Sequence, residues 1–295
     1  MLRSLFRRLT LSASLVVLLS VSLLSALPTQ AKGLAKSLTP YTVAVNVTAP
    51  SGTIGASTYM DIWHPTVYPG DQESLAQIAV IQTQLYQGRP TLWRDIEEGW
   101  LVDPDPSVYG GGTDPHLFVY VRDVPKYGGS SGCLVQQDAS SPTGWSCGFV
   151  PLDTTNYPGK SLMSEVGNVR TFYIAYSGGN WLIHYDANYI GYIPESAFSG
   201  SFNSVSVAEW QGEVAVAKNP PATQMGNGNC GTSTSPQNVP AHFYTMAIET
   251  ATQSYPAYTY SQKAEVTNKK FYNGAYNYTK NTLTTLAYGG PTGCP

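Results

Sequence analysis

Val207-Ala208-Glu209-Trp210-Gln211-Gly212-Glu213-Val214-Ala215-Val216 is the stretch that decides the fold. Along a β-strand, side chains two residues apart share a face. Trp210, Gly212, Val214 and Val216 then form one apolar face, and Glu209, Gln211, Glu213 and Ala215 form the other. Asp95-Ile96-Glu97-Glu98-Gly99-Trp100-Leu101-Val102 has the same character. There Trp100 and Val102 share one face, and Glu97 and Gly99 share the opposite one. Both segments read as strands of an antiparallel sheet with one face in the core.

Outward from these two segments the pattern repeats. Strand-like runs cover residues 41–48, 53–63, 76–84, 97–102, 117–121, 169–176, 180–185, 189–193 and 205–216, mostly bounded by Gly, Pro, Asp or Asn. Residues 194–198 read as a single helical turn, and 218–238 as a loop. Many short strands with turn signals predict an all-β, antiparallel β-sandwich. With 42% hydrophobic residues in 295, the chain can build one large core, and residues 40–295 are expected to form one domain.

Only 12% of residues are charged, against roughly 25% in an average domain. This composition excludes a coiled coil and a typical disordered chain. A formal charge of −3 with no Lys/Arg cluster after the N-terminus speaks against a nucleic-acid partner. Residues 1–31 carry Arg3, Arg7 and Arg8 before a Leu/Val/Ser/Ala-rich run and the small-residue site Pro28-Thr29-Gln30-Ala31. That is the pattern of a secretory signal peptide. Residues 32–39 form a short leader. Cleavage removes three of the 16 basic residues and none of the 19 acidic ones, so the formal charge goes from −3 to −6. The expected product is secreted, with no membrane association once the signal is removed.

Four cysteines in an exported chain, Cys133, Cys147, Cys230 and Cys294, read as two disulfides. Three pairings are possible. Cys133–Cys147 with Cys230–Cys294 is the local choice. Asn46-Val47-Thr48 and Asn277-Tyr278-Thr279 are glycosylation sequons.

The usual catalytic motifs are poorly represented. His64, His116, His184 and His242 are well separated, with no metal-ligand spacing. Gly128-Gly129-Ser130-Ser131-Gly132 fits G-x-S-x-G but lacks the strand before it and the helix after it that a nucleophile elbow requires. The carboxylates of the two opening segments remain. Two carboxyls facing one cleft can share a proton, one serving as acid and the other as base. Taken alone, the same residues also fit the solvated face of a half-buried sheet.

The motifs add to this pattern. Ile96-Glu97-Glu98-Gly99-Trp100-Leu101-Val102-Asp103-Pro104 resembles the E-x-G-W-x-V-x-P block of the neprosin family of secreted glutamic prolyl endopeptidases. Asn180-Trp181-Leu182 with Ile190-Gly191-Tyr192-Ile193-Pro194 is similar to a second block of that family. Glu209-Trp210-Gln211-Gly212-Glu213-Val214 resembles E-W-G-G-E-V, and Thr223-Gln224-Met225-Gly226-Asn227-Gly228 resembles T-Q-M-G-S-G. The ending Tyr288-Gly289-Gly290-Pro291 with Cys294 also matches. The resemblance spans about residues 41–295 and keeps the family's order.

The resemblance implies a sandwich of two sheets with an active cleft on a concave sheet face. It implies peptide and protein substrates, cleavage after proline, a catalytic glutamate pair and no cofactor or metal. The first glutamate falls on Glu97, framed by Gly99-Trp100, and the second on Glu213, with Glu209 as the alternative. Gln211 and Gln224 are candidate substrate-binding residues, and a monomer is expected. The family's short Cys-Cys loop resembles Cys133 through Cys147, and its terminal cysteine resembles Cys294. Gln211 departs from the family's glycine, and the short leader departs from a long activation propeptide. The alternative reading is a non-catalytic secreted β-sandwich that binds glycans or peptides through its Tyr and Trp side chains. A two-carboxylate glycoside hydrolase is a further rival.

Overall fold

A computed structural model describes residues 38–86, 89–124, 132–217, 219–235, 237–257, 262–277 and 285–294. The expected signal segment, residues 32–37 of the leader, residues 128–131 of the serine-containing loop and residues 278–279 of the second sequon lie outside the described residues.

Among the described residues sixteen strands follow one another: β1 (Thr39–Thr48), β2 (Thr53–Asp61), β3 (Glu73–Tyr86), β4 (Arg89–Val102), β5 (His116–Asp123), β6 (Gly132–Leu134), β7 (Val150–Pro151), β8 (Val169–Ser177), β9 (Asn180–Tyr185), β10 (Asn188–Pro194), β11 (Val207–Val216), β12 (Ala241–Thr250), β13 (Ser254–Pro256), β14 (Gln262–Val266), β15 (Asn273–Asn277) and β16 (Thr285–Gly289). They form two antiparallel sheets. The first runs β14-β1-β11-β3-β4-β5-β6, and the second runs β15-β16-β12-β2-β8-β9-β10-β7, with β13 paired to β12. The chain is a β-sandwich. Among the described residues no helix is long and apolar enough to cross a membrane. The helical turn expected at 194–198 is a short 3-10 helix, Glu195–Ala197.

The core lies between the sheets and is built by the expected alternation. From the first sheet it takes Val43, Val45 and Val47 of β1, Ile78 and Val80 of β3, Ile96, Trp100 and Val102 of β4, Val119 and Val121 of β5, and Trp210, Val214 and Val216 of β11. The second sheet answers with Met60, Phe172, Ile174, Trp181, Ile183 and Phe243. A buried indole must place its N–H. Trp100 donates to the Asp61 carbonyl at 2.9 Å, Trp210 to Ser57 at 3.2 Å, and Trp181 to Phe202 at 2.7 Å. The first two of these bonds join the sheets at the two segments quoted first.

Gly99 explains itself by contact. A Cβ there would sit 1.9 Å from the Ala76 carbonyl oxygen of β3, so only glycine allows β3 and β4 to approach as they do. The disulfides join Cys133 to Cys147 and Cys230 to Cys294. The first ties β6 to the turn Ser146–Gly148, and the second ties the loop after β11 to the chain's end.

Candidate active site

The outer face of the first sheet holds the chemistry. On β4 the residues pointing away from the core are Asp95, Glu97, Gly99 and Leu101, and on β11 they are Glu209, Gln211 and Glu213. Between these strands lies β3, with Glu73, Leu75, Gln77 and Ala79 on the same face. Register fixes the rows. Ala79 pairs with both Glu97 and Glu209, Gln77 with both Gly99 and Gln211, and Leu75 with both Leu101 and Glu213. Glu97 and Glu213 are thus two strands and two rows apart, and Gln77 stands at the crossing between them. Adjacent strands lie about 4.8 Å apart and each residue rises about 3.4 Å, so the two Cα atoms are about 10 Å apart across β3 and about 14 Å apart along it, roughly 17 Å in all.

Both glutamates are buried. Glu97 is 3% exposed, while Glu213 and Gln77 are 0% exposed. The cation comes from β5, where Arg122 pairs directly with Asp95 across the strands. Its Nη1 lies 2.9 Å from Asp95 Oδ2 and its Nη2 lies 3.1 Å from Glu97 Oε1. The guanidinium also sits 5.6 Å from the centre of the Tyr120 ring. Trp93 Nε1 donates to Asp95, and Gln211 Nε2 donates to Glu213.

Crowding controls the protonation of this face. Burial pushes the Glu97 carboxyl up to about 8, opposed chiefly by Arg122, with the Gln77 amide also favouring the ionised form. Burial raises Glu213 well above the usual carboxylate range, and the charges of Glu73, Glu97 and Glu209 raise it further. Glu209, partly accessible at its edge but enclosed by neighbours, is pushed up to about 7 by burial and then by Asp95 and Glu265. Desolvation penalises a carboxylate, and like charges penalise it again. A single guanidinium serves several acids, so the face retains protons well beyond the ordinary range. Among the described residues, no three His, Cys, Asp or Glu side chains are grouped to hold a metal ion.

Of the residues singled out in the sequence, Glu97, Glu209, Gln211 and Glu213 share this face. Gln224 does not join them through any contact. Its Oε1 accepts from the Thr66 N–H at 2.8 Å, and its own N–H donates to the Thr66 carbonyl at 3.0 Å, so it clamps two loops together. Glu98 points into the sandwich and is buried there. His64 is exposed, and His242 lies 3.8 Å from Asp61 on the second sheet. Sequence reading missed Gln77, Asp95 and Arg122. A signal existed for Gln77, a lone amide in the apolar run Leu75-Ala76-Gln77-Ile78-Ala79-Val80-Ile81. None existed for Arg122, which lies one residue past the expected end of its strand.

The Neprosin family matches residues 70–291, most of the chain. The chain belongs to the Neprosin family. This Neprosin-family chain is accordingly a glutamic endopeptidase, the class to which its motifs correspond. Three solved structures are similar in fold. The scytalido-glutamic peptidase with a peptide-based transition state analog has a TM-score of 0.45 at 9% identity, covering 85% of this chain and 100% of that one. SCP-B, a member of the Eqolisin family of peptidases in a complex with the tripeptide Ala-Ile-His, has a TM-score of 0.46 at 9% identity with the same coverage. A glycoside hydrolase family 16 endo-glucanase from Bacteroides ovatus has a TM-score of 0.32 at 12% identity, covering 63% of this chain and 70% of that one. At these values the site of the Neprosin-family chain rests on its own geometry and on the family match.

Proposed function

We propose that this chain is a secreted endopeptidase that cleaves after proline, with Glu97 and Glu213 activating a water against the scissile bond; the acid optimum expected of a glutamate pair gives way to a range nearer neutral, because burial raises both carboxyls. The observation that carries this reading is two buried carboxyls on one sheet face, with Gln77 in the row between them and the Arg122 guanidinium on Glu97. Arg122 makes Glu97 the member that ionises with a partner, so Glu97 is the base. Among the described residues Glu213 has no cation in contact, and it has neighbouring acids in Glu73, Glu97 and Glu209, so it keeps its proton and is the acid. Glu97 takes a proton from water as the oxygen bonds to the carbonyl carbon. Glu213 hydrogen-bonds the carbonyl oxygen and then protonates the departing nitrogen as the C–N bond breaks. The amides of Gln77 and Gln211 lie beside the pair, where they can donate to the developing oxyanion. The midpoints of the pH profile belong to the coupled pair. Proline preference follows from the family resemblance, and export follows from residues 1–31, which lead a chain with two disulfides.

The test is cleavage of quenched-fluorescent peptides across pH 2 to 8, with Pro or Ala before the scissile bond. Glu97→Gln and Glu213→Gln should each lower kcat by roughly 10²–10⁴-fold while leaving the protein folded. Chelator should change nothing. Activity retained in either variant would remove that residue from the mechanism, and equal cleavage after Ala would remove the proline preference.

A further inference from the structure

Glu73 opens β3 on the same outer face. It pairs with Ala215 of β11, while Glu213 pairs with Leu75, so Glu73 and Glu213 are diagonal neighbours across two hydrogen-bonded strands. Long side chains in that relation reach one another. Glu73 is 0% exposed, and among the described residues neither carboxyl oxygen has a hydrogen-bond partner. Lone buried carboxyls are costly, and nothing in the packing of β3 requires an acid at this position. Leu75, the next residue on this face, belongs to an apolar cluster with Leu101, Phe118 and Tyr120. Glu73 therefore faces the reacting pair from the side opposite Arg122.

We propose that Glu73 is a third carboxyl of the site, a positioning residue that keeps the proton on Glu213 and so sets the alkaline end of the working range. This rests on the assignment of Glu97 and Glu213 above. The charged and titratable groups acting on this corner are Glu213 and Glu209 of β11, Glu97 of β4, Asp103 just beyond β4, and Arg122 of β5. Asp103 accepts from the Asp105 N–H at 2.8 Å and is itself pushed up by burial to about 7. All but Arg122 oppose ionisation of the Glu73–Glu213 pair. When the pair has one proton left, Glu73 makes its loss harder. A neutral side chain at 73 removes that opposition, and Glu213 then ionises at lower pH.

The experiment is the pH profile of kcat/KM for the secreted protein and for Glu73→Gln and Glu73→Met. In both variants the alkaline limb should move about one pH unit toward acid, with the acid limb and the plateau retained. At a fixed pH on that limb the loss is about tenfold. A folded variant whose alkaline limb does not move overturns the proposal, even if its plateau is lower. Should neither variant fold, carboxyl ¹³C titration of glutamate-labelled wild type and Glu213→Gln decides the matter. Removing Glu213 should lower the midpoint of a second buried glutamate, and unchanged midpoints overturn the proposal. If Glu97→Gln and Glu213→Gln abolish cleavage but Glu73→Gln leaves the limb in place, only this inference fails. If those two variants stay active, the assignment beneath it fails first.

Discussion

Arg122 is the residue on which the protonation of the outer face turns. It sits between Asp95 and Glu97, is itself buried, and is the strongest influence favouring their charged forms. Replacing it with glutamine removes that influence, so Glu97 holds its proton to higher pH. The base then becomes available later, and the acid limb of kcat/KM moves to higher pH. Glu73→Gln acts on the other limb and in the other direction, so the two profiles should narrow the working range from opposite sides. Stability should respond as well. Removing one partner of a buried ion pair costs about 3–5 kcal/mol where the remaining charges persist. Arg122→Gln should therefore lose much more stability in denaturant at pH 9, where Glu97 is ionised, than at pH 4, where its acids are neutral. Equal losses at both values would argue that Arg122 works by packing alone. The glutamates were legible in the sequence because alternation fixes the face of each residue once its tryptophan is inside. Arg122 was not legible, because its role depends on register between β4 and β5, and register is a long-range fact.

At the scale of elements, the nine strand-like runs of the sequence all appear as strands, several of them longer than expected. Their alternation is regular and their ends are marked by turn residues. The C-terminal strands are not legible in the sequence, and β12 shows why. Its register with β2 shifts between Tyr244 and Ala247, and Thr245 takes a φ of 49°, so inside and outside fall out of step mid-strand. β13 has only three residues and presents no pattern. Gln224 stands out through a local motif, yet its bonds go to Thr66, 158 residues away in sequence. The two disulfides also differ at this scale. Cys133–Cys147 closes a separation of 14 residues and Cys230–Cys294 one of 64. Chain-entropy reasoning makes the longer closure worth about 1 kcal/mol more. Denaturant unfolding of Cys→Ser double variants should rank Cys230/Cys294 as the more destabilised, and the reverse order would assign the difference to local packing instead.

For the whole molecule the sum of these acids gives a direction. Glu73, Glu97, Glu209, Glu213, Asp95, Glu98 and Asp103 all have folded-state values raised by burial. A raised carboxyl adds stability that is complete below its unfolded value and is lost as pH rises through its folded value. The window follows from the values at hand, from about 4.5 in the unfolded chain to about 7 for Glu209 and about 8 for Glu97. Within it, each group that keeps its proton costs about 1.4 kcal/mol per pH unit. Tm measured from pH 4 to 8 should fall steadily, opposite to a protein held together by ionised surface pairs. A flat or rising curve would mean that these acids are neutral in neither state or solvated in both. Low overall charge contributes in the same sense, since few like charges repel when the carboxylates are neutral.

The crowded outer face also makes folding a reaction with protons among its reactants. At pH 6 the unfolded chain holds its acids ionised, and the folded chain holds several of them neutral. Each molecule that folds draws protons from the medium, and each that unfolds returns them. The heat of unfolding measured at one pH will therefore change with the ionisation enthalpy of the buffer. Its slope against that enthalpy counts the protons released.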